Sequence, residues 1–270
     1  MIYTDPNWKI IDCRFWLEDT LKGQQDYSNS HIPGSIYADL DKDLSGKIVP
    51  GQTGRHPLPE IDSFSALLGS WGINNQTQVV AYDDRGGMIA GRLWWLLRWL
   101  GHEKIAVLDG GFTKWIEEAY PVSDEITKMI NKTFKPNINS KLINTHDEIL
   151  RQFGDPGYLL VDSRAPERYR GEIEPIDPIA GRIPGAKNYF WKNNLDPEGC
   201  FYSKDVLRGR FSSFIGNIPP QNVTFYCGSG VTSALNVLAM FHAGLGMPKL
   251  YVGSWSHWIS DSERPILSGK

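Results

Sequence analysis

The sequence predicts an α/β protein made of two tandem copies of one domain, each a parallel β-sheet flanked by helices. Three observations carry this expectation. The 270-residue length suits one large domain or two of moderate size. Short β-branched and aromatic runs alternate with longer apolar stretches, and that strand–loop–helix–strand order implies parallel pairing. The same ordered set of segments also occurs twice, at a period far too long for a solenoid.

The repeat opens with Ile11-Asp12-Cys13-Arg14, which returns as Val161-Asp162-Ser163-Arg164. Cys13 is read as lying inside the first strand, as a small core residue. Ile32-Pro33-Gly34 returns as Ile183-Pro184-Gly185. The next strands are Gln78-Val79-Val80-Ala81-Tyr82 and Val223-Thr224-Phe225-Tyr226. A short Gly-containing loop follows each, and then an apolar stretch, residues 90–100 and 233–243, read as a buried helix. Gly101 and Gly244 are the expected glycines at the two helix ends. Residues 105–108 and 249–252 read as further strands. Gly110 with Trp115 matches Gly253 with Trp258, and Tyr120-Pro121-Val122 matches Arg264-Pro265-Ile266. Residues 123–144 (SDEITKMINKTFKPNINSKLIN) are polar and lack an apolar period, as an extended surface connection would. The expected domains are therefore 1–124 and 144–270, with a linker over 125–143.

Composition excludes several classes. A net charge of −3 without patterning gives no reason to expect nucleic acid or a membrane surface as partner. No apolar stretch approaches the roughly 20 residues of a membrane span. The Met1 end lacks the basic and apolar regions of a signal peptide. Three cysteines cannot all pair, and a chain this long needs no staples, so a reducing, cytoplasmic setting is expected. His31, His102, His146, His242 and His257 are spread out without metal-ligand spacing, so no metal site is expected, and no cofactor is called for.

Chemistry is sought where the copies differ, because shared features serve the fold. After the central strand the first copy reads Asp83-Asp84-Arg85-Gly86-Gly87, and the second reads Cys227-Gly228-Ser229-Gly230-Val231-Thr232. Glycines after a strand-ending cysteine let backbone N–H groups turn towards the sulfur. The helix that follows adds its positive end, and both effects favour the nucleophilic thiolate. The alternative reading is a buried cysteine beside a tight turn. Arg168, in Arg164-Ala165-Pro166-Glu167-Arg168, has Glu18 as its counterpart, so the fold does not require it. Arg164 matches Arg14 and reads as a structural ion-pair residue.

On these residues the chain resembles the rhodanese family: the loop, the two Ile-Pro-Gly segments, Asp-x-Arg and the Gly…Trp segments all occur in order. The resemblance covers nearly the whole sequence and implies two tandem rhodanese-like domains. The loop over 227–232 is similar to that of 3-mercaptopyruvate sulfurtransferases, whereas thiosulfate sulfurtransferases place basic residues where this chain has Gly228 and Ser229. Asp83 stands at the cysteine position of the first copy, as in the non-catalytic N-terminal domains of the family.

The resemblance implies sulfur transfer from a small-molecule donor, 3-mercaptopyruvate or thiosulfate, through a persulfide on Cys227. The acceptor would be a thiol, a thioredoxin-like protein or cyanide. The N–H groups over Gly228, Gly230, Val231 and Thr232 would hold the sulfur anion. Arg168 matches an arginine that binds the donor's acidic group. Arg182 stands where the family commonly has histidine; it either replaces a second substrate arginine, missing at Ile176-Asp177-Pro178, or faces solvent.

The first copy has seven more residues than the second between its Ile-Pro-Gly and central strand. The surplus carries Asp43 and Gly54-Arg55-His56. A Ser–His–Asp set that polarises the donor carbonyl or moves a proton would map onto Ser229, His56 and Asp43. Arg55 is a further candidate for the donor carboxylate. The alternative is a surface loop with an incidental histidine. Cys200, in a turn, is expected to be partly exposed.

Two other classes are weighed. Cys-dependent phosphatases need an arginine six residues after the cysteine, and this chain has Ser233. A non-catalytic binding module would have no use for Cys227 and its glycines. A thiosulfate-preferring rhodanese stays open as the alternative within the family.

Overall fold

The computed structural model describes residue 5 and residues 7–269, so the first residues, read above as lacking a signal peptide, lie largely outside the described part. Two compact units form. The first holds Met1–Gly46, Leu58–Asn139 and Pro197–Cys200; the second holds Lys47–Pro57, Ser140–Asp196 and Phe201–Lys270. Each half of the chain thus lends a short segment to the other unit.

The first unit runs β1 (Trp8–Asp12), α1 (Lys22–Asn29), β2 (Ser35–Tyr37), α2 (Ile61–Ser70), β3 (Gln78–Tyr82), α3 (Ala90–Trp99), β4 (Ile105–Val107) and α4 (Gly111–Glu117). Its sheet has the order β2-β1-β3-β4, all parallel. The second unit runs α5 (His146–Arg151), β5 (Leu159–Asp162), α6 (Pro166–Arg170), β6 (Lys187–Asn188), α7 (Lys204–Ile215), β7 (Val223–Tyr226), α8 (Thr232–His242), β8 (Lys249–Leu250) and α9 (Ser254–Trp258). Its sheet repeats the order as β6-β5-β7-β8, again parallel. The expected fold class is therefore found in both units.

Helices flank each sheet, and in the second the central strands are buried on both faces. Every residue of β5 (LLVD) and β7 (VTFY) is buried. The helices after the central strands are buried on nearly all sides, with nine of ten residues of α3 and eight of eleven of α8 out of solvent. Gly101 and Gly244 follow these helices at φ +79° and +76°, the left-handed turn that glycine permits at a helix end. Helix α5 starts with a capping box: the Thr145 hydroxyl accepts from the Glu148 N–H while the Glu148 carboxylate accepts from the Thr145 N–H.

The Asp-x-Arg pairs lock the first and central strands of each copy together. Asp12 takes Arg14 at 2.7 Å and the Tyr82 hydroxyl at 2.6 Å. Asp162 takes Arg164 at 2.6 Å, all but out of solvent. Arg14 and Arg164 thus have the structural role read from the repeat.

Three expectations change. Strand β1 ends at Asp12, so Cys13 follows it rather than lying within it, though it is fully buried. Residues expected in the linker, as far as Asn139, belong to the first unit. They are tied there by Lys132 N–H to Gly69 O and Asn137 N–H to Leu100 O. Cys200 is buried rather than partly exposed, with its sulfur 3.5 Å from the Lys114 ammonium.

In each sheet the order reverses between the two central strands, and ligands of such folds sit beyond the carboxyl ends at that reversal. In the second unit those ends are Asp162 of β5 and Tyr226 of β7. Cys227 is the next residue.

Candidate active site

Cys227 follows directly on β7 and is 2% exposed. Its sulfur accepts from the Gly230 N–H at 3.2 Å and from the Ser233 hydroxyl at 3.3 Å. Gly230 has φ +78°, and a Cβ there would lie 2.2 Å from the Val252 carbonyl oxygen, so only glycine serves. Burial pushes the thiol up. Hydrogen bonds from the Ser233 and Thr232 hydroxyls and from the Ser229 and Ser233 N–H groups outweigh it, leaving Cys227 below the usual thiol value. The thiolate is the form this loop is built to hold.

The backbone of the loop is clamped by the start of α9. Trp255 N–H donates to Cys227 O at 3.0 Å, and Ser256 N–H to Gly228 O at 2.9 Å. The Cys227 N–H donates to the Ser254 hydroxyl at 3.1 Å, and that hydroxyl donates to Tyr251 O at 2.9 Å. Ser254 has φ +54°, a left-handed conformation that disfavours any side chain. Its counterpart in the first unit is Gly111, at φ +57°. The second copy therefore carries backbone strain at this point, and the serine side chain it keeps fixes the nucleophile's backbone.

The segment Lys47–Pro57 docks on the same unit through its main chain. A Cβ at Gly54 would lie 2.5 Å from Gly253 O, and the Arg55 N–H donates to the Ser256 hydroxyl at 3.0 Å. This brings His56 against the loop: its Nδ1 is 2.7 Å from the Ser229 hydroxyl, with both residues buried. Arg55 lies over Gly228 and pairs with Asp177 through Nε–Oδ1 at 2.9 Å. Arg168 reaches the same place, held by Glu174 at 2.6 Å and Asp177 at 3.2 Å. Hydrogen bonds from Arg168 and from the Asp177 and Ile176 N–H groups outweigh the upward push of burial and hold Glu174 below the usual carboxylate range.

The second unit thus assembles Ser229, His56, Arg55 and Arg168 at the Cys227 loop, with Val231 and Thr232 leading into α8. Arg182 is not part of that arrangement, and Asp43 belongs to the first unit. The Asp43 Oδ2 accepts from the Asp39 N–H at 2.8 Å, and burial raises its carboxyl. Arg182 neither meets the loop nor faces solvent freely. Its backbone pairs with Leu267, its guanidinium donates to Gly269 O at 2.6 Å, and it stacks on the Tyr169 ring. Those contacts fasten the C-terminal segment and account for the arginine structurally.

Four participants escaped the sequence reading: Ser233, Ser254, Glu174 and Asp177. A signal existed for two of them. Ser233 and Ser254 stand against Ile89 and Gly111 in the other copy, the kind of difference that singled out Cys227. Glu174 and Asp177 lie where the copies have no common motif, so nothing in the sequence marked them as arginine partners.

The equivalent loop of the first unit shows what this backbone binds. The Asp83 carboxylate accepts from the N–H groups of Arg85, Gly87 and Ile89 at 2.8 Å and of Ala90 at 3.0 Å. The anion site is there, filled by the protein's own side chain.

Among the described residues no group of three or more His, Cys, Asp or Glu side chains could hold a metal ion, and no helix is long and apolar enough to cross a membrane.

Comparison with known proteins agrees with this anatomy. The family model described as "Rhodanese-like domain" matches residues 1–118 and 145–261. The chain is 41% identical over 267 residues to a "Probable 3-mercaptopyruvate sulfurtransferase" of Pseudomonas aeruginosa, covering 98% of this chain and 94% of that protein. It is 31% identical over 259 residues to the "Thiosulfate sulfurtransferase" of Bos taurus, covering 94% and 86%. The solved structure of the 3-mercaptopyruvate sulfurtransferase from Leishmania major superposes with a TM-score of 0.83 at 30% identity, over 96% of this chain and 72% of that one. With two matched segments, two sheets of one topology and a cysteine loop at the strand-order reversal of the second, the chain belongs to the rhodanese-like family.

Proposed function

We propose that this protein is a sulfurtransferase that moves sulfur from 3-mercaptopyruvate, through a Cys227 persulfide, to a thiol or cyanide acceptor. The observation that carries the reading is the Cys227 loop. A buried sulfur receives hydroxyl and backbone hydrogen bonds, with two guanidiniums beside the adjoining Gly228. The names of the relatives support the reaction class.

In the first half-reaction the Cys227 thiolate attacks the donor sulfur. The new S–S bond forms as the donor's S–C bond breaks, and the electron pair leaves on carbon as the enolate of pyruvate. That enolate needs a proton. Ser229, hydrogen-bonded to His56, is the group placed to polarise the carbonyl or relay that proton. Arg168 and Arg55 take the donor carboxylate. In the second half-reaction an acceptor thiolate attacks the outer sulfur, and Cys227 leaves as the thiolate its loop stabilises. The N–H groups over Gly228, Gly230, Val231 and Thr232 serve the persulfide anion in the same way.

The first domain, with Asp83 at the cysteine position, is non-catalytic in this reading. Three free thiols suit a reducing compartment, the cytoplasm, and a thioredoxin-like protein as one acceptor.

One observation favours thiosulfate as the second donor: the Bos taurus relative carries the name thiosulfate sulfurtransferase. The test is incubation with each donor followed by intact-protein mass spectrometry. A gain of one sulfur that vanishes in Cys227→Ser is the expected result. No gain from either donor would overturn the reading and leave a binding module.

A further inference from the structure

Arg55 and Arg168 meet Glu174 and Asp177 beside the Cys227 loop; Arg164 also reaches Glu174, at 3.2 Å, and is balanced by Asp162, so the charges cancel. The carboxylates are the sunken members, with side chains 3% and 1% exposed for Glu174 and Asp177. The guanidiniums are the presented ones, at 28% for Arg55 and 15% for Arg168. Asp177 is shared between them. It takes Arg55 Nε and Nη2 at 2.9 and 3.1 Å, and Arg168 Nη2 at 3.2 Å. One carboxylate gripping two planar guanidiniums fixes the orientation of both.

Both arginines lie over Gly228. A Cβ at that residue would be 2.8 Å from Arg55 Nη2, 3.4 Å from Arg168 Nη2 and 3.6 Å from Asp177 Oδ2. Charged side-chain ends occupy the space directly above Gly228. The bonds these arginines make to the carboxylates use Nε and Nη2, and among the described residues neither Nη1 has a protein hydrogen-bond partner beyond the Arg55–Asp177 and Arg168–Glu174–Asp177 set. Two directed donors therefore remain next to the nucleophile, in a cluster whose net charge is nil.

We propose that Asp177 sets the donor selectivity of this site, holding Arg55 and Arg168 as a neutralised pair that accepts a monoanionic α-keto carboxylate and disfavours a dianion such as thiosulfate. The proposal rests on the sulfur-transfer reading above. A single carboxylate is satisfied by well-placed N–H donors. A dianion gives up more hydration and needs a positive field in return, and the Asp177 charge cancels that field at the point of binding.

Asp177→Asn removes the charge and keeps the size and one acceptor oxygen. Its ratio of kcat/KM for 3-mercaptopyruvate over thiosulfate is expected to fall about tenfold, through a lower KM for thiosulfate, as one removed charge at a partly solvated site implies. An unchanged ratio overturns the proposal, and so does an equal rise in KM for both donors, which would make Asp177 merely structural. Should the variant not fold, protection of wild-type Cys227 from iodoacetamide decides: pyruvate should protect at lower concentration than sulfate, and equal or better protection by sulfate overturns the proposal. Absence of sulfur on wild-type Cys227 after either donor, read beforehand by mass spectrometry, is the separate result that overturns sulfur transfer itself and this proposal with it.

Discussion

Replacing Ser233 by alanine probes the electrostatics of the Cys227 loop most directly. The Ser233 hydroxyl donates to the sulfur at 3.3 Å, one of the hydrogen bonds that bring the thiol below its ordinary 9.0 against the upward push of burial. A hydrogen bond to a charged group contributes about 1.5–3 kcal/mol. This bond is long and the Gly230 N–H stays in place at 3.2 Å, so the lower end applies. About 1.4 kcal/mol corresponds to roughly one pKa unit. Ser233→Ala should therefore raise the Cys227 midpoint by about one unit and leave the plateau rate at high pH unchanged. The assay is the pH dependence of iodoacetamide alkylation, read at the Cys227 peptide so that Cys13 and Cys200 do not contribute. The lowered folded value also links to stability. That contribution is present above the unfolded value of 9.0 and is lost as the pH falls through the folded one, so the variant should lose more stability at alkaline than at neutral pH. A midpoint that stays put or moves down would refute the account of the loop as a thiolate site.

Other outcomes follow from the same geometry. Arg168→Ala should raise KM for 3-mercaptopyruvate by about tenfold or more with a smaller change in kcat, and an unchanged KM in steady-state kinetics would remove it from the donor site. His56→Asn should lower kcat with 3-mercaptopyruvate more than with thiosulfate, because only the first leaving group must be protonated on carbon; equal losses would count against the Ser229–His56 relay. Asp83→Ala leaves four N–H groups without their anion and should cost about 2–4 kcal/mol in urea unfolding, while a loss under 1 kcal/mol would contradict that role. Burial, then Arg264 and His146, lower His257 from 6.5 to about 4. Its contribution to stability is held above pH 6.5 and declines as the pH drops towards 4, by about 1–2 kcal/mol after solvent screening, and His257→Gln should flatten that decline in unfolding curves.

The fold was legible because periodicity and punctuation survive in both copies. Strand β7 reads as a β-branched and aromatic run, and Gly244 marks the end of α8 as it would in any protein. The paired Asp-x-Arg segments could be assigned to structure because a catalytic group has no need to occur twice. The site was legible where the copies disagree, at Asp83 against Cys227 and Glu18 against Arg168. It was illegible where a contact depends on chain path. Nothing local to His56 says that its segment joins the second unit; that follows from Gly54 closing on the Gly253 carbonyl, a contact between residues far apart in sequence. Arg182 misled for a related reason. A charged side chain beside a motif gives no sign of its partners, and here they are the Tyr169 ring and the Gly269 carbonyl.

The two loops show why one copy can react and the other cannot, though their backbones share the same turn. Gly86 and Gly230 have φ +73° and +78°, and the N–H groups of Arg85 and Ile89 occupy the places of those of Ser229 and Ser233. Each backbone offers an anion site. In the first unit a carboxylate fills it permanently, and no further donors are needed because the charge of Asp83 is spread over two oxygens and four N–H groups. A thiolate has one large atom to satisfy and a burial penalty to overcome. The second unit adds hydroxyls where the first has Ile89, Met88 and Gly111: Ser233 and Thr232 at the sulfur, and Ser254 at the Cys227 N–H. Ser254 adopts a positive φ to do so, which its glycine counterpart manages without strain. The strained serine and the added hydroxyls therefore belong with the cysteine as one device, and a cysteine placed alone at position 83 would lack the donors that make Cys227 a thiolate.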